Sequence, residues 1–504
     1  MAECTDTLAL PMLRFAVDPA TSAKAVQPTL SQAYTLGQDE TPLPATVAMA
    51  DGELRCQVEH QRSAGICLGF DSGAGISMVA TCLLQLREQP YRLVLELARN
   101  QIRLCLAKCD DWLFADHPLA QPALKRLDRA RSLFTEAMVE RDFMRAEQAS
   151  RQALAEAIAA SELLAMAHAQ ALLRVRYAAK GASRSAVGVR VDLGMDPLRL
   201  APVLADIDLL IIPTPWRALE PQPGSFELAN LDRWIQYAAK AGKRIVLGPL
   251  LDLSEDALPI WMIPKRNDEA ALRDRHAQFC TAIIRRYGAA VGMWITAVGL
   301  NECRFVQLRP ESMVDLTRRV AVAIRQPLPK ARLMVELSHP WGEDVAASKG
   351  AVPPLRWVQM LIDEGVRFDA VGVRLIQGVE DRGGMVRDLL QISAMLERFM
   401  HLKVPIMLTA VGLPSSGKAG LAGSWRGAPS PELQARWLTA IITMGLSKRF
   451  IETVCWGQLV DGDPSQPAMG MLTAAGKAKP SWEQFCSIRK RLKEPLGTGS
   501  AAPA

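Results

Sequence analysis

Between residues 186 and 490 the sequence alternates short apolar runs with amphipathic stretches eight times over, and few folds satisfy that rhythm. The runs are "AVGVRVDL", "IDLLIIP", "KRIVLGP", "GMWITAV", "ARLMVEL", "FDAVGVRLI", "VPIMLTAV" and "ETVCWGQL". Between them lie segments such as "LANLDRWIQYAAKAG", "DRHAQFCTAIIRRYG" and "SMVDLTRRVAVAIRQ", with apolar residues at helical spacing. Strands buried on both faces read as near-continuous apolar runs, and parallel strands need a crossover helix between them. Eight such units predict a (β/α)8 barrel, a TIM barrel, over 186–490, with an open doubly wound sheet as the alternative. In a barrel, chemistry belongs at the carboxyl ends of the strands.

Two other patterns precede it. Residues 1–118 carry short apolar or alternating runs, among them "LRFAV", "GELRCQVEH", "GICLGF", "MVATCLLQL", "YRLVLELA" and "QIRLCLA", separated by turn residues. Their spacing predicts an all-β, sandwich-like domain. Residues 119–180 turn to Ala, Leu, Glu and Arg at helical spacing with few breakers, which predicts a helical hairpin. His168 lies in that stretch without a second ligand at helical spacing, so it reads as a packed histidine. Residues 491–504 read as a disordered tail.

Composition narrows the function. With 59 basic and 53 acidic residues interspersed, the net charge of +6 implies no basic surface, and nucleic acid is disfavoured as a partner. No run approaches the roughly 18 apolar residues of a membrane span. The first residues, "MAECTDTLALPMLRF", place acids where a secretory signal needs bases. Ten scattered cysteines with no CxxC pair fit free thiols in a reducing compartment, so a soluble cytoplasmic protein is expected. Six dispersed histidines without HxH or HxxxH spacing argue against a metal site, and no glycine-rich phosphate loop occurs. Neither cofactor nor oligomeric state is implied.

Several framework motifs in the barrel region are specific in spacing. "WRALEPQPGSFEL" contains Trp216, Glu220, Pro221, Gly224 and Phe226; Pro259 and Trp261 follow; "IIRRYGAAVGMW" contains Arg286, Tyr287, Gly288, Val291 and Trp294; Trp456-Gly457 and Asp461 close the series. Over roughly residues 186–488 this pattern resembles glycoside hydrolase family 10, the endo-β-1,4-xylanases. The resemblance implies a retaining glycosidase, which needs two carboxyl groups about 5–5.5 Å apart. At the family's acid/base position, however, this chain has Gly299, and at the nucleophile position it has Ala410. Arg374 and Ile376 replace the family's glutamine and histidine on strand six.

The carboxylates left near strand ends are Glu302, three residues beyond Gly299, and Glu336, Glu343 and Asp344 of "MVELSHPWGED", with His339 and Trp341 among them. Glu302 and Glu336 are therefore the candidates for a relocated catalytic pair, since an inverting arrangement tolerates about 6.5–9.5 Å. Trp216, Glu220, His339, Trp341, Arg374, Trp456 and Asp461 are the candidate substrate-binding residues, because an indole face can cover a sugar ring and a carboxylate accepts from hydroxyls. Trp216 with Glu220 reads equally as core, and Arg374 equally as a structural partner of Glu336. Two functions remain open. One is a carbohydrate-active enzyme acting on a β-linked polysaccharide such as xylan. The other is a non-catalytic barrel for carbohydrate binding, assembly or regulation.

Overall fold

The computed structural model describes residues 12–19, 26–58, 63–73, 75–178, 186–418, 420, 422–462 and 468–493. The first strands are β1 (Met12–Ala16), β2 (Tyr34–Leu36), β3 (Pro42–Leu43), β4 (Ala45–Ala50), β5 (Glu53–Val58), β6 (Ser63–Asp71), β7 (Ile76–Ala80), β8 (Leu84–Gln85) and β9 (Tyr91–Arg92). They form two sheets, β4-β5-β1-β9 and β3-β2-β6-β7, with β8 on β6. The alternation of buried and half-buried residues along β1 and β5 turns Leu13, Phe15, Leu54, Cys56 and Val58 inward, where they meet Ile66, Leu68 and Phe70 of the other sheet.

Three helices follow: α1 (Leu93–Asp111), α2 (Gln121–Val139) and α3 (Phe143–Ala178). Here the structure departs from the expected strands over "YRLVLELA" and "QIRLCLA", which lie almost wholly within α1. Leu93, Val94, Leu97 and Ala98, then Ile102, Cys105 and Cys109, form a buried helical stripe. A short apolar run reads either way by periodicity alone; here the i, i+4 repeat carried on to Cys109 decides it. His168 of α3 is packed, its ring 4.0 Å from that of Trp112.

The barrel strands are β10 (Ala186–Arg190), β11 (Leu209–Ile212), β12 (Arg244–Leu247) with its short extension β13 (Leu251–Asp252), β14 (Met293–Val298), β15 (Arg332–Leu337), β16 (Ala370–Ile376), β17 (Ile406–Gly412) and β18 (Ile451–Trp456). All pair in parallel, and the ring closes through β12–β14 and β10–β18. The longer helices of the barrel are α4 (Ala229–Lys240), α5 (Glu269–Tyr287), α6 (Pro310–Arg325), α7 (Pro354–Asp363), α8 (Leu389–Phe399), α9 (Pro431–Ser447) and α10 (Pro480–Lys493). Residues 494–504, most of the expected tail, lie outside the described residues.

Alternate residues fill the barrel. Leu209, Ile211, Val246, Met293, Ile295, Met334, Ala370, Met407 and Cys455 form one enclosed apolar cluster. The residues between them, such as Leu210, Trp294, Val335 and Leu408, belong to the outer core with the helices. The N-terminal sheets join the barrel by main-chain hydrogen bonds, Met78 N to Val386 O at 2.8 Å and Ser424 N to Ile76 O at 2.8 Å. No helix among the described residues is long and apolar enough to cross a membrane.

Candidate functional site

Above the apolar cluster the barrel interior becomes charged. Glu336 follows Met334 by two residues on β15 and so faces the axis. Its carboxylate is fully buried. Arg374 of neighbouring β16 donates to Oε2 through Nε at 2.9 Å and Nη2 at 2.6 Å. Arg190 of β10 donates to Oε1 at 2.7 Å. In the closed ring, β10 lies four strands from β15 in either direction, so this ion pair crosses the barrel. Burial pushes the Glu336 carboxyl up, but Arg190 and Arg374 outweigh it and bring it down to about 2. Arg190 shifts downward because its own burial exceeds what one shared carboxylate returns, whereas Arg374 shifts upward. Glu336 is therefore an anion fixed between two cations.

The strand-four end is shaped by a turn. Gly299 has φ +61°, and Glu302 N donates to Gly299 O at 3.1 Å, so the chain doubles back at once. A Cβ built on Gly299 would meet Glu302 Oε1 at 3.3 Å and Ser338 Oγ at 2.8 Å. The Glu302 carboxylate thus lies beside the direction a residue-299 side chain would take. Asn301 points away, its Nδ2 donating to Val352 O at 3.0 Å. Ala410 pairs with Arg374 across β16–β17 and is buried.

Glu302 sits in a web tying together the loops after β14, β15 and β16. His339 Nδ1 is 2.9 Å from Glu302 Oε1, and its Nε2 is 3.5 Å from Asp381. Arg304 donates to Asp344 at 2.6 Å and Asp381 at 2.8 Å, and its Nε is 3.5 Å from Glu302. Burial pushes the His339 imidazole down, but Glu302 and Asp381 more than compensate and raise it to about 10. Asp344 moves upward, through burial and then the nearby Glu302. Donor atoms of Glu302, His339 and Asp344 lie within 4.8 Å of one another, a spacing that suits a cation. The Arg304 guanidinium already supplies that charge.

These groups line a cleft of about 640 Å³ at the carboxyl end of the barrel, with Asp252, Gly299, Glu302, His339, Arg374 and Asp381 in its wall. Of the residues singled out in the sequence, Glu302, His339 and Arg374 meet there. The tryptophans do not. Trp216 is 1% exposed, donates from Nε1 to Glu220 Oε2 at 2.6 Å, and packs against Trp261, His276 and Phe279. Glu220 also accepts from Gly224 N at 2.7 Å, so the pair staples the segment after β11. Trp456 is 1% exposed, packs edge-on against Trp437 and donates to Met469 O at 2.8 Å. Asp461 is held by Lys479 at 2.7 Å. Trp216, Trp456 and Asp461, expected to bind substrate, therefore do not line this cleft. Trp341 lies beneath the Arg387 guanidinium, 4.4 Å from ring centroid to Cζ.

Arg190, Asp252, Ser254, Arg304, Ser338 and Asp381 are the site residues that sequence reasoning missed. Only Arg190 left a signal, a charge on the inward phase of "VGVRV".

The fold and cleft define a (β/α)8 barrel with a polar site at its carboxyl face. The family model described as Beta-galactosidase matches residues 208–289, from the start of β11 past the end of α5. Among solved structures the chain is similar to xylanase B of Clostridium stercorarium F9, with 16% identity, 60% of this chain and 96% of that one covered, and a TM-score of 0.47. It is likewise similar to the GH10 structure from Paenibacillus barcinonensis (18% identity, 63% and 97% covered, TM-score 0.48). A third is xylanase 10B of Thermotoga petrophila RKU-1, solved with xylobiose (12% identity, 64% and 97% covered, TM-score 0.47). No curated protein matches in sequence.

Proposed function

We propose that the barrel binds a segment of a β-linked polysaccharide such as xylan in its carboxyl-face cleft without hydrolysing it by the retaining route. The observation that carries this reading is the state of Glu336, fully buried and held by both Arg190 and Arg374. A nucleophile must be free to reach an anomeric carbon, and a general acid must hold a proton near neutrality. Glu336 does neither. Gly299 and Ala410 carry no carboxyl group. The cleft keeps donors and acceptors suited to hydroxyl groups, in Asp252, Ser254, Ser338 and Glu302.

Purified protein is expected to give no release from an aryl β-xylobioside, and xylo-oligosaccharides are expected to bind by calorimetry. A second reading, with Glu302 as a relocated acid, is favoured by its place beside Gly299 at the cleft wall. Turnover that Glu302→Gln abolishes would establish it and overturn the non-hydrolytic reading. Failure of every xylo-oligosaccharide to bind would remove the xylan assignment.

A further inference from the structure

A second cavity, of about 390 Å³, opens where the N-terminal sheets, the helices α2 and α3 and the barrel meet. Its wall takes Ser77 from β7, Arg126 from α2, Glu162 from α3, Ser424 and Arg426 from the loop after β17, and Arg436 from α9. None of these residues borders the carboxyl-face cleft. That volume suits a small metabolite.

The cavity holds more cationic donors than its own acids consume. Glu162 is buried, and its two oxygens accept from Trp425 Nε1 at 2.6 Å and from Arg426 Nε. Asp388, also in the wall, accepts from Gln101 Nε2 at 2.9 Å and from Gln391 N at 2.9 Å. Arg126 gives one Nη to Glu156 at 2.8 Å. The two Nη groups of Arg426 and the whole guanidinium of Arg436 make no hydrogen bond with another described residue. Arg426 is also held at φ +56°, a left-handed conformation uncommon for a residue with a side chain. Its guanidinium lies over the Trp425 ring, 4.6 Å from the centroid. Backbone strain persists where surrounding structure over-determines it, often at ligand clamps. The β6–β7 turn is pressed onto this loop, since a Cβ on Gly75 would stand 2.3 Å from Ser424 O and 3.0 Å from Arg426 N.

From this geometry we infer that the cavity is a binding site for a small phosphomonoester, its phosphate bridging the guanidinium groups of Arg426 and Arg436. One carboxylate edge satisfies one guanidinium fork, whereas a phosphate dianion presents three oxygens and accepts from two forks at once. The hydroxyls of Ser77 and Ser424 are further donors, and Ile158, Ala159 and Leu163 offer an apolar wall to the organic part. Because the wall draws on both the sheets and the barrel, occupancy fastens one to the other. The site is independent of the glycan reading of the cleft.

The test uses the full-length protein with glucose 1-phosphate, inorganic phosphate, glucuronate and glucose as probes, read by calorimetry and thermal unfolding. Glucose 1-phosphate is expected to bind and to raise the unfolding temperature, inorganic phosphate to compete with it, and glucose to do nothing. Arg436→Gln is expected to leave the unliganded unfolding temperature unchanged, since its side chain has no partner to lose, while weakening glucose 1-phosphate about 10- to 100-fold. Arg426→Gln should weaken it at least as much. Absence of binding by either phosphate compound, equal binding of glucuronate, or undiminished affinity in Arg436→Gln would each overturn the assignment.

Discussion

A carboxylate with no exposure and two guanidinium partners titrates unlike one in water. Glu336 falls from an ordinary 4.5 to about 2, a stabilisation of about 3 kcal/mol when fully expressed. Because its folded value is depressed, that stability is present above about pH 4.5 and is lost as pH falls towards 2. His339 runs the other way. Its folded value of about 10 lies above the ordinary 6.5, so its contribution is complete below 6.5 and fades as pH rises through 10. Denaturant unfolding across pH is therefore expected to show greatest stability between roughly 4.5 and 6.5 from these two groups, with a decline on either side. Glu336→Gln should lose about 3 kcal/mol at neutral pH, since it strands two half-buried cations, and should flatten the acid limb. An acid limb unchanged in that variant would show that Glu336 is not its source.

The eight barrel strands are legible in the sequence because each is an apolar run bounded by turn residues, and every one of them forms. The helix α1 is not legible in "RLVLELA" alone, which satisfies two periods at once; the repeat carried on to Cys109, with packing against α3, chooses between them. The site follows the same division. Arg374 and Glu336 sit on adjacent strands, Glu336 level with Gly372 two residues before Arg374, so the two side chains are within reach of each other. Glu302 lies past the strand, and an extended chain would carry it about 10 Å beyond Gly299. The turn that brings it back depends on Gly299 adopting φ +61°. Gly299→Ala is expected to cost about 1–2 kcal/mol, since alanine is strained at that φ and its methyl would press on Ser338 Oγ at 2.8 Å. The carboxylate of Glu302 should then leave His339, and the His339 titration, followed by NMR, should move down from about 10. An unmoved imidazole would show that the turn does not position the pair.

At the scale of the whole chain, the contacts between the N-terminal sheets and the barrel are buried and polar as well as apolar. Arg387, in the loop before α8, is buried; it donates to Tyr34 of β2 at 2.9 Å and to Glu343 after β15 at 2.6 Å. Gln101 of α1 reaches Asp388 at 2.9 Å, and the main-chain bonds of Met78 and Ser424 lie on the same boundary. Opening this boundary would expose Arg387 and Glu343 to a changed environment and strip Tyr34 of its partner, so the sheets have little reason to unfold alone. The wild-type chain is expected to unfold in one calorimetric transition despite its size. Tyr34→Phe removes one of several hydrogen bonds across the boundary and should lower stability by about 1 kcal/mol without dividing the transition. Arg387→Met keeps the bulk but leaves the Glu343 carboxylate buried without its cation, at a cost of about 3–5 kcal/mol. That loss falls on the boundary itself, so the variant should show a separate, earlier transition for the sheets. Two transitions already present in the wild type, or a single one retained in Arg387→Met, would mean that the apolar contacts of α1 and α3 carry the coupling without the arginine.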